Sequence, residues 1–80
     1  MEVLLFGIAK DIVGKSNLDI SHIEKQPNSV GELMQVLKNK YPEFNKLSSL
    51  AIAVNGEYAS KELSLQASDE IAIIPPVSGG

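Results

Sequence analysis

One segment of the chain has the pattern of a long amphipathic helix, and this segment constrains the fold more than any other. Its apolar residues recur at helical spacing and form a single stripe, made by Val30, Leu33, Met34, Leu37 and Tyr41. Ser29 and Glu32 have the spacing of a capping box at its start. Pro42 disfavours helical geometry in the residue before it, so the helix ends near Tyr41. A single apolar stripe needs a single apolar surface to cover it, so we expect this helix to lie on one face of a sheet.

The chain before this helix predicts two strands with a short extra helix between them. The run VLLFGI, residues 3–8, is apolar throughout and rich in strand formers, so we place it inside the sheet with both faces covered. Residues 8–14, IAKDIVG, have apolar positions near helical spacing, with Gly14 as the C-cap. Residues 18–25, LDISHIEK, alternate between apolar and polar, which predicts a half-buried strand antiparallel to the first.

The chain after the helix predicts a hairpin and a final strand. The run LAIAV, residues 50–54, leads into an Asn-Gly dipeptide at 55–56, the strongest short-range hairpin signal. The run IAII, residues 71–74, is the last strand. It ends because the prolines at 75–76 cannot donate hydrogen bonds to a strand ladder.

This order of elements leaves few topologies once the crossover through the long helix is right-handed. The α+β fold with this order of elements is the ubiquitin-like β-grasp, a mixed sheet of about five strands with the main helix on one face. We predict a single globular domain over residues 1–74 and a projecting C-terminal tail over residues 75–80.

Composition argues against several classes of site and partner. The chain has no cysteine, which removes disulfides, thiolate metal sites and a cysteine nucleophile. It has no arginine and a net charge of −3, which argues against a nucleic-acid partner. No segment approaches the roughly 20 apolar residues of a membrane span. We therefore expect a cytoplasmic protein that binds neither a membrane nor a metal.

The residues that could serve acid–base chemistry have plainer interpretations. His22 is the only histidine, and we interpret it as an exposed strand residue because no cysteine or second histidine accompanies it. Asp69 and Glu70 are adjacent, and adjacent strand residues point to opposite faces of a sheet. We therefore interpret Asp69 as a turn residue rather than as half of a catalytic pair.

The sequence PPVSGG after the last strand is the most unusual feature of the chain. A frayed terminus would be the simplest interpretation, but two terminal glycines arise by chance in roughly one chain in two hundred. Two prolines favour a stiff extended base, and six residues reach about 20 Å at ~3.3 Å each. Glycines at the tip let a partner's channel close around the backbone. We predict an arm that delivers the Gly80 carboxylate, activated by ATP-dependent adenylation, into the active site of another protein.

The same residues resemble a known family. PPVSGG preceded by DEIAII resembles the C-terminus of the small subunits of molybdopterin synthase, which are β-grasp sulfur carriers. LLFGIAKDIVG is similar to the first strand and short helix of that family, and AIAVNGEYA to its central hairpin. The resemblance spans the whole chain.

The resemblance implies a reaction cycle. A ubiquitin-activating-like adenylyltransferase uses ATP to adenylate Gly80, and a sulfur donor protein converts it to a thiocarboxylate. The tail then enters the large synthase subunit and gives its sulfur to a cyclic pyranopterin monophosphate, forming the molybdopterin dithiolene. The inserted tail residues are Pro75, Pro76, Val77, Ser78 and Gly79. The family's synthases are heterotetramers with two small subunits on a dimer of large ones, and the small subunit alone is non-catalytic and binds no cofactor.

Tail insertion alone is weak anchoring, so we expect an apolar patch on the sheet to dock the domain. Strand alternation places Ile74 on the face opposite the helix, and strand pairing brings Phe6 and Tyr58 alongside. These three residues are the predicted partner interface. The competing interpretation is that Phe6 belongs to the core.

Three alternatives share parts of this pattern. A thiamin-pathway sulfur carrier has the fold and the Gly-Gly end, but is usually shorter and typically lacks the extra helix at 8–13 and the double proline. A ubiquitin-like protein modifier would end in an isopeptide bond to a lysine. A non-catalytic binding module would not need the tail.

Overall fold

Five strands form one mixed sheet in the computed structural model, which describes residues 1–21, 23, 25–47 and 50–75. In chain order the elements are β1 (Glu2–Leu5), α1 (Gly7–Val13), β2 (Asn17–Asp19), α2 (Val30–Lys40), a 3₁₀ helix (Pro42–Lys46), β3 (Ala51–Val54), β4 (Glu57–Tyr58) and β5 (Glu70–Ile74). The strands lie in the order β2-β1-β5-β3-β4.

Strand β5 lies at the centre of this sheet. It pairs parallel with β1 and antiparallel with β3, while β2 and β4 add antiparallel edges to β1 and β3. The predicted ubiquitin-like β-grasp is confirmed, with α2 as the main helix and α1 as the short extra one. The 3₁₀ helix was not predicted, because one short turn has no apolar period; it buries Phe44.

Helix α2 begins and ends where the sequence predicts. The Ser29 Oγ accepts a hydrogen bond from the Glu32 amide at 3.2 Å. The Glu32 carboxylate accepts from the amide of Asn28 at 3.0 Å, one residue before the partner that a capping box specifies. At the other end, the Tyr41 amide donates to the Leu37 carbonyl at 2.7 Å.

The connection between β4 and β5 also caps α2, which the sequence does not reveal. The Val30 amide donates to the Leu63 carbonyl at 3.0 Å, and the Gly31 amide donates to the Lys61 carbonyl at 3.0 Å. The first amides of a helix lack partners within the helix. This connection therefore supplies backbone acceptors from a distant part of the chain.

The sheet has one buried face, and the prediction that both faces of β1 are covered is wrong. Val3 and Leu5 point to the helix side and are 0% and 2% exposed, whereas Leu4 is only half-buried and Phe6 is 49% exposed. The reason is geometric, since one long helix can cover only one face. The core between that helix and the sheet is formed by side chains such as Val3, Leu33, Leu37, Phe44, Ile71 and Ile73.

The remaining turns follow their sequence signals. Gly14 caps α1 with φ of +86°, and its amide donates to the Lys10 carbonyl at 2.7 Å. Asn55 and Gly56 both have positive φ, as a type I′ hairpin turn requires.

The strand predicted over residues 18–25 pairs antiparallel with β1 as expected, but its predicted length is wrong, since β2 spans only Asn17–Asp19. The chain turns after it, where the Ser21 amide donates to the Asp19 carboxylate at 2.9 Å, and His22 lies outside the described residues.

Asp69 has the predicted turn role. Its carboxylate accepts hydrogen bonds from the Gln66 amide at 2.8 Å and from the Asn55 side chain at 3.0 Å. Asn55 in turn accepts from the Glu70 amide at 2.9 Å, so the hairpin turn is tied to the start of β5. The Gln66 hydrogen bond, and then that of Asn55, hold the pKa of the Asp69 carboxyl below its ordinary value.

This network makes part of the fold stability depend on pH. Because the native pKa of Asp69 is lowered, its contribution is present above the pKa of the unfolded state and is lost as pH falls through the native value. We expect Asp69→Asn to lower the thermal midpoint near neutral pH, and the difference from the parent to narrow in acid. Asp11→Asn, at an exposed position of α1, is the matched control. A difference that stays constant across the acid range, measured by thermal melts, would show that the ionised carboxylate is not what stabilises the turn.

Candidate functional site

The root of the predicted tail is held at the centre of the sheet. Strand β5 is hydrogen-bonded along both edges and ends at Ile74, where Pro75 follows. Of the predicted tail residues, only Pro75 belongs to the described part of the chain. The remaining ones lie outside it, and what the sequence predicts of them stays a prediction: Pro76, Val77, Ser78, Gly79 and Gly80.

The face of the sheet that α2 leaves uncovered, called the outer face below, is apolar near this root. Ile71 and Ile73 point into the core and are fully buried, while Ala72 and Ile74 alternate to the outer face and are half-buried. Cross-strand pairing builds a row of outer-face residues from β1 to β4: Leu4, Ala72, Ala53 and Tyr58.

The three predicted interface residues all lie on the outer face or at its border. Phe6 follows β1 in extended geometry, one position beyond the Leu5 and Ile73 pair, so it lies beside Ile74. Tyr58 lies two strands over, on β4, and is 76% exposed. Phe6 is not a core residue. Large exposed apolar side chains grouped on one face are typical of a surface that binds a partner.

Ile8 is an exposed apolar residue that sequence reasoning missed. The sequence placed it on the apolar side of α1, but the buried residue of that helix is Ala9, and Ile8 is 48% exposed. It is a second exposed apolar residue close in sequence to Phe6. A seven-residue helix has too few turns for its spacing to show which side faces the core.

The opposite end of the outer face is acidic. In the register of the sheet, Glu2 of β1 lies between Asp19 of β2 and Glu70 of β5. Asn17 donates to the Glu2 carboxylate at 3.1 Å. Like charges at directly opposed positions are unfavourable for pairing. The outer face therefore has an acidic end and an apolar end, and Pro75 follows β5 at the apolar end.

The described residues contain neither a candidate metal site nor a candidate membrane span. Within residues 1–21, 23, 25–47 and 50–75, no group of three or more His, Asp or Glu side chains could hold a metal ion. His22 lies outside this part, so the expectation that the protein binds no metal stays a prediction. Among the described helices, none has the length and apolar character needed to cross a membrane.

Comparison with protein families gives a match over almost the whole chain. Residues 3–80 match the ThiS family. A molybdopterin synthase sulfur carrier subunit of Dictyostelium discoideum is 37% identical, over 99% of this chain and 94% of the relative. A protein of the same name from Arabidopsis thaliana is 34% identical, over 100% of this chain and 82% of the relative.

Solved structures show the same fold. Small archaeal modifier protein 1 of Methanosarcina acetivorans is 28% identical with a TM-score of 0.80, over 99% of this chain and 94% of that one. A chain in the complex of subunits 1 and 2 of the molybdopterin-converting factor of Helicobacter pylori is 30% identical with a TM-score of 0.66. That match covers 99% of this chain and 96% of that one.

Proposed function

The chain belongs to the ThiS family, together with the molybdopterin synthase sulfur carrier subunits, and on this premise we propose that it carries sulfur for molybdenum cofactor biosynthesis. The observation that carries the proposal is kinship with such carrier subunits along the whole chain, with the family match reaching residue 80.

The proposed chemistry takes place at the carboxyl carbon of Gly80. A carboxylate oxygen of Gly80 attacks the α-phosphate of ATP on a ubiquitin-activating-like adenylyltransferase, and pyrophosphate leaves. The outer sulfur of a persulfide on a sulfur donor protein then displaces AMP from the acyl adenylate and forms an acyl disulfide. A thiol attacks the donor-side sulfur of this S–S bond, which leaves the thiocarboxylate on Gly80 and a new disulfide on the donor. ATP is consumed on the activating enzyme, and we place the cycle in the cytoplasm, where ATP is available.

The second half of the cycle takes place in the large synthase subunit. The tail, Pro75 to Gly80, enters the active site of that subunit, and the thiocarboxylate sulfur attacks a side-chain carbon of the cyclic pyranopterin monophosphate. An oxygen on that carbon leaves, and a thioester joins Gly80 to the precursor until water cleaves it. Water then restores the Gly80 carboxylate, and two such transfers complete the dithiolene. A central strand paired on both edges supports this role, since it gives the tail a firm base.

The proposed partner is the large subunit, in a heterotetramer of two small and two large subunits. The complex of two subunits that contains the Helicobacter pylori neighbour supports the pairing. The apolar end of the outer face is the proposed docking surface, with Phe6, Tyr58 and Ile74 in contact with the partner. Docking there would direct the tail root towards the partner as well.

We expect Ile74→Asp to weaken binding to the large subunit at least about tenfold, or ~1.4 kcal/mol, because it buries an unpaired charge in an apolar contact. Leu63→Asp is the matched control, since Leu63 is 42% exposed but lies beside the start of α2. Titration calorimetry measures both affinities, and circular dichroism confirms that both variants fold. Equal affinities for Ile74→Asp and the parent would remove Ile74 from the interface.

The proposal also predicts that the isolated chain has no turnover. Mixed with ATP alone, it releases no pyrophosphate; release begins when the activating enzyme is added and ceases again when Gly80 is deleted. Pyrophosphate release by the chain alone, above a heat-inactivated control, would contradict the carrier role. Release that is independent of Gly80 would contradict the proposed site.

The likeness to the small archaeal modifier protein favours a second candidate, a ubiquitin-like protein modifier. In that role the adenylated Gly80 would form an isopeptide bond with a lysine of another protein. Conjugates of higher mass that resist reducing agents would identify this product. A thiamin-pathway carrier would load sulfur in the same way, but its thiocarboxylate would not convert the pyranopterin precursor with the large subunit.

A further inference from the structure

Pro75, the first residue of the tail, packs against Gly7 at the start of α1. A Cβ atom placed on Gly7 would lie 3.2 Å from the Pro75 Cγ. This is closer than the ~3.5–4.0 Å at which two carbon atoms attract each other best. Any side chain at position 7 would therefore press on the proline ring.

Gly7 itself is held firmly. Strands β1 and β5 run parallel, so both end at the same edge of the sheet, and the last pair in their register is Leu5 with Ile73. The chain then turns from β1 into α1, and Gly7 makes this turn with φ of +55°, a region that favours glycine. The Phe6 carbonyl accepts from the Ala9 amide at 3.1 Å, and Ala9 is fully buried. Gly7 therefore has a fixed position, and the Pro75 ring packs against it.

We propose that Gly7 is a positioning residue for the tail: it sets where Pro75 lies and hence the direction in which the tail leaves the sheet. The inference rests on the proposed function, in which the tail has to place a single carbon atom inside a partner. Under the proposed function, a displaced Pro75 would misplace the reacting carbon, and a misplacement of about 1 Å at a reacting centre can cost a hundredfold in rate.

Gly14 provides a matched control for the test. It also has positive φ, at the opposite end of α1, but a Cβ there would meet nothing within 4 Å. Alanine at either position strains the backbone in the same way, whereas only alanine at 7 touches the tail. We expect both variants to lower the thermal midpoint, and Gly7→Ala to lower it further because its methyl group also presses on Pro75. With saturating large subunit, sulfur transfer should fall about tenfold in Gly7→Ala and stay at the parental rate in Gly14→Ala.

Pro75→Ala completes a double-mutant cycle, because it removes the Cγ atom that a methyl group at position 7 would meet. Gly7→Ala should lower the rate less in the Pro75→Ala background than in the parent. Affinity for the large subunit should stay unchanged in Gly7→Ala and Gly14→Ala, so the loss in Gly7→Ala appears in the transfer rate alone. Equal rates for Gly7→Ala and Gly14→Ala, or an equal loss in both backgrounds, would overturn the inference.

A nuclear Overhauser contact between the Gly7 α-protons and the Pro75 ring protons tests the packing without any enzyme. We expect it in the isolated parental chain, and its absence would overturn the inference even if the parent carries sulfur. If Gly7→Ala does not fold, Pro75→Ala tests the inference alone. A parental transfer rate in Pro75→Ala would show that the contact with Gly7 does not position the tail for transfer. If the parent itself fails to load or convert the precursor, the proposed function fails, while the Overhauser contact still decides the packing.

Discussion

Deleting Gly80 should reduce precursor conversion by the large subunit at least a hundredfold. The new terminal carboxylate, on Gly79, is withdrawn by about 3.3 Å. This exceeds the tolerance of an active site, where about 1 Å of misplacement can cost a hundredfold. The assay is conversion of the pyranopterin precursor after attempted thiocarboxylate loading. The core is untouched, so the free energy of unfolding should stay within about 0.5 kcal/mol of the parent.

A variant with one alanine appended after Gly80 tests whether the carboxylate must be on Gly80 itself. It keeps every native residue but turns the Gly80 carboxylate into an amide, which cannot be adenylated there. We expect the same loss of conversion by this different route. If the deletion variant loads and converts precursor at the parental rate, Gly80 is not the residue that bears sulfur.

The second large effect is expected from Gly79→Val. This variant keeps the length and the terminal carboxylate but adds a branched side chain next to the reacting carbon. A channel that closes around a glycine backbone has no room for the valine side chain. We therefore expect conversion to fall at least about a hundredfold. The conversion rate of Gly79→Ala should lie between those of Gly79→Val and the parent. The chain already has a valine at position 77, so the effect should depend on position and not on valine as such.

Conversion by Gly79→Val at the parental rate would show that no narrow channel surrounds position 79. Loading and conversion should be measured separately, because the activating enzyme and the large subunit would each bind the tail. A loss in only one of the two steps would identify which partner has the narrow channel.

Local sequence signals predicted most of the fold. The stripe from Val30 to Tyr41 and the Ser29 cap fixed the main helix, and the Asn-Gly pair at 55–56 fixed the hairpin, because each signal acts between residues close in the chain. With one long helix and an apolar strand at either end of the chain, few other topologies were available.

Contacts between distant parts of the chain were beyond prediction. The Lys61 and Leu63 carbonyls cap a helix that begins about 30 residues earlier in sequence. Gly7 and Pro75 are adjacent only because β1 and β5 are parallel neighbours. The apolar run of β1 also gave a wrong expectation. Apolar residues at both faces of a strand are typical of burial, but here Phe6 faces outward, where a partner would supply the missing cover.

The proposed site also has one part that could be predicted from local sequence and one part that depends on contacts between distant residues. The tail could be predicted from the sequence because glycine and proline set the conformational range of the backbone directly, without tertiary contacts. The proposed docking surface depends on which residues the sheet brings together, so Phe6, Tyr58 and Ile74 could be named only by assuming the strand order. The exposure of Ile8 and the closeness of Gly7 to Pro75 became apparent only in the structure.

Intact mass spectrometry of the chain purified from its native cells tests the carrier role most directly. We expect a population heavier than the unmodified chain by the mass difference between one sulfur and one oxygen atom. Fragmentation should place this difference on Gly80, and it should disappear in cells that lack the activating enzyme. A chain found only with an unmodified carboxylate or in isopeptide conjugates, in cells that are making the molybdenum cofactor, would contradict the role as a sulfur carrier.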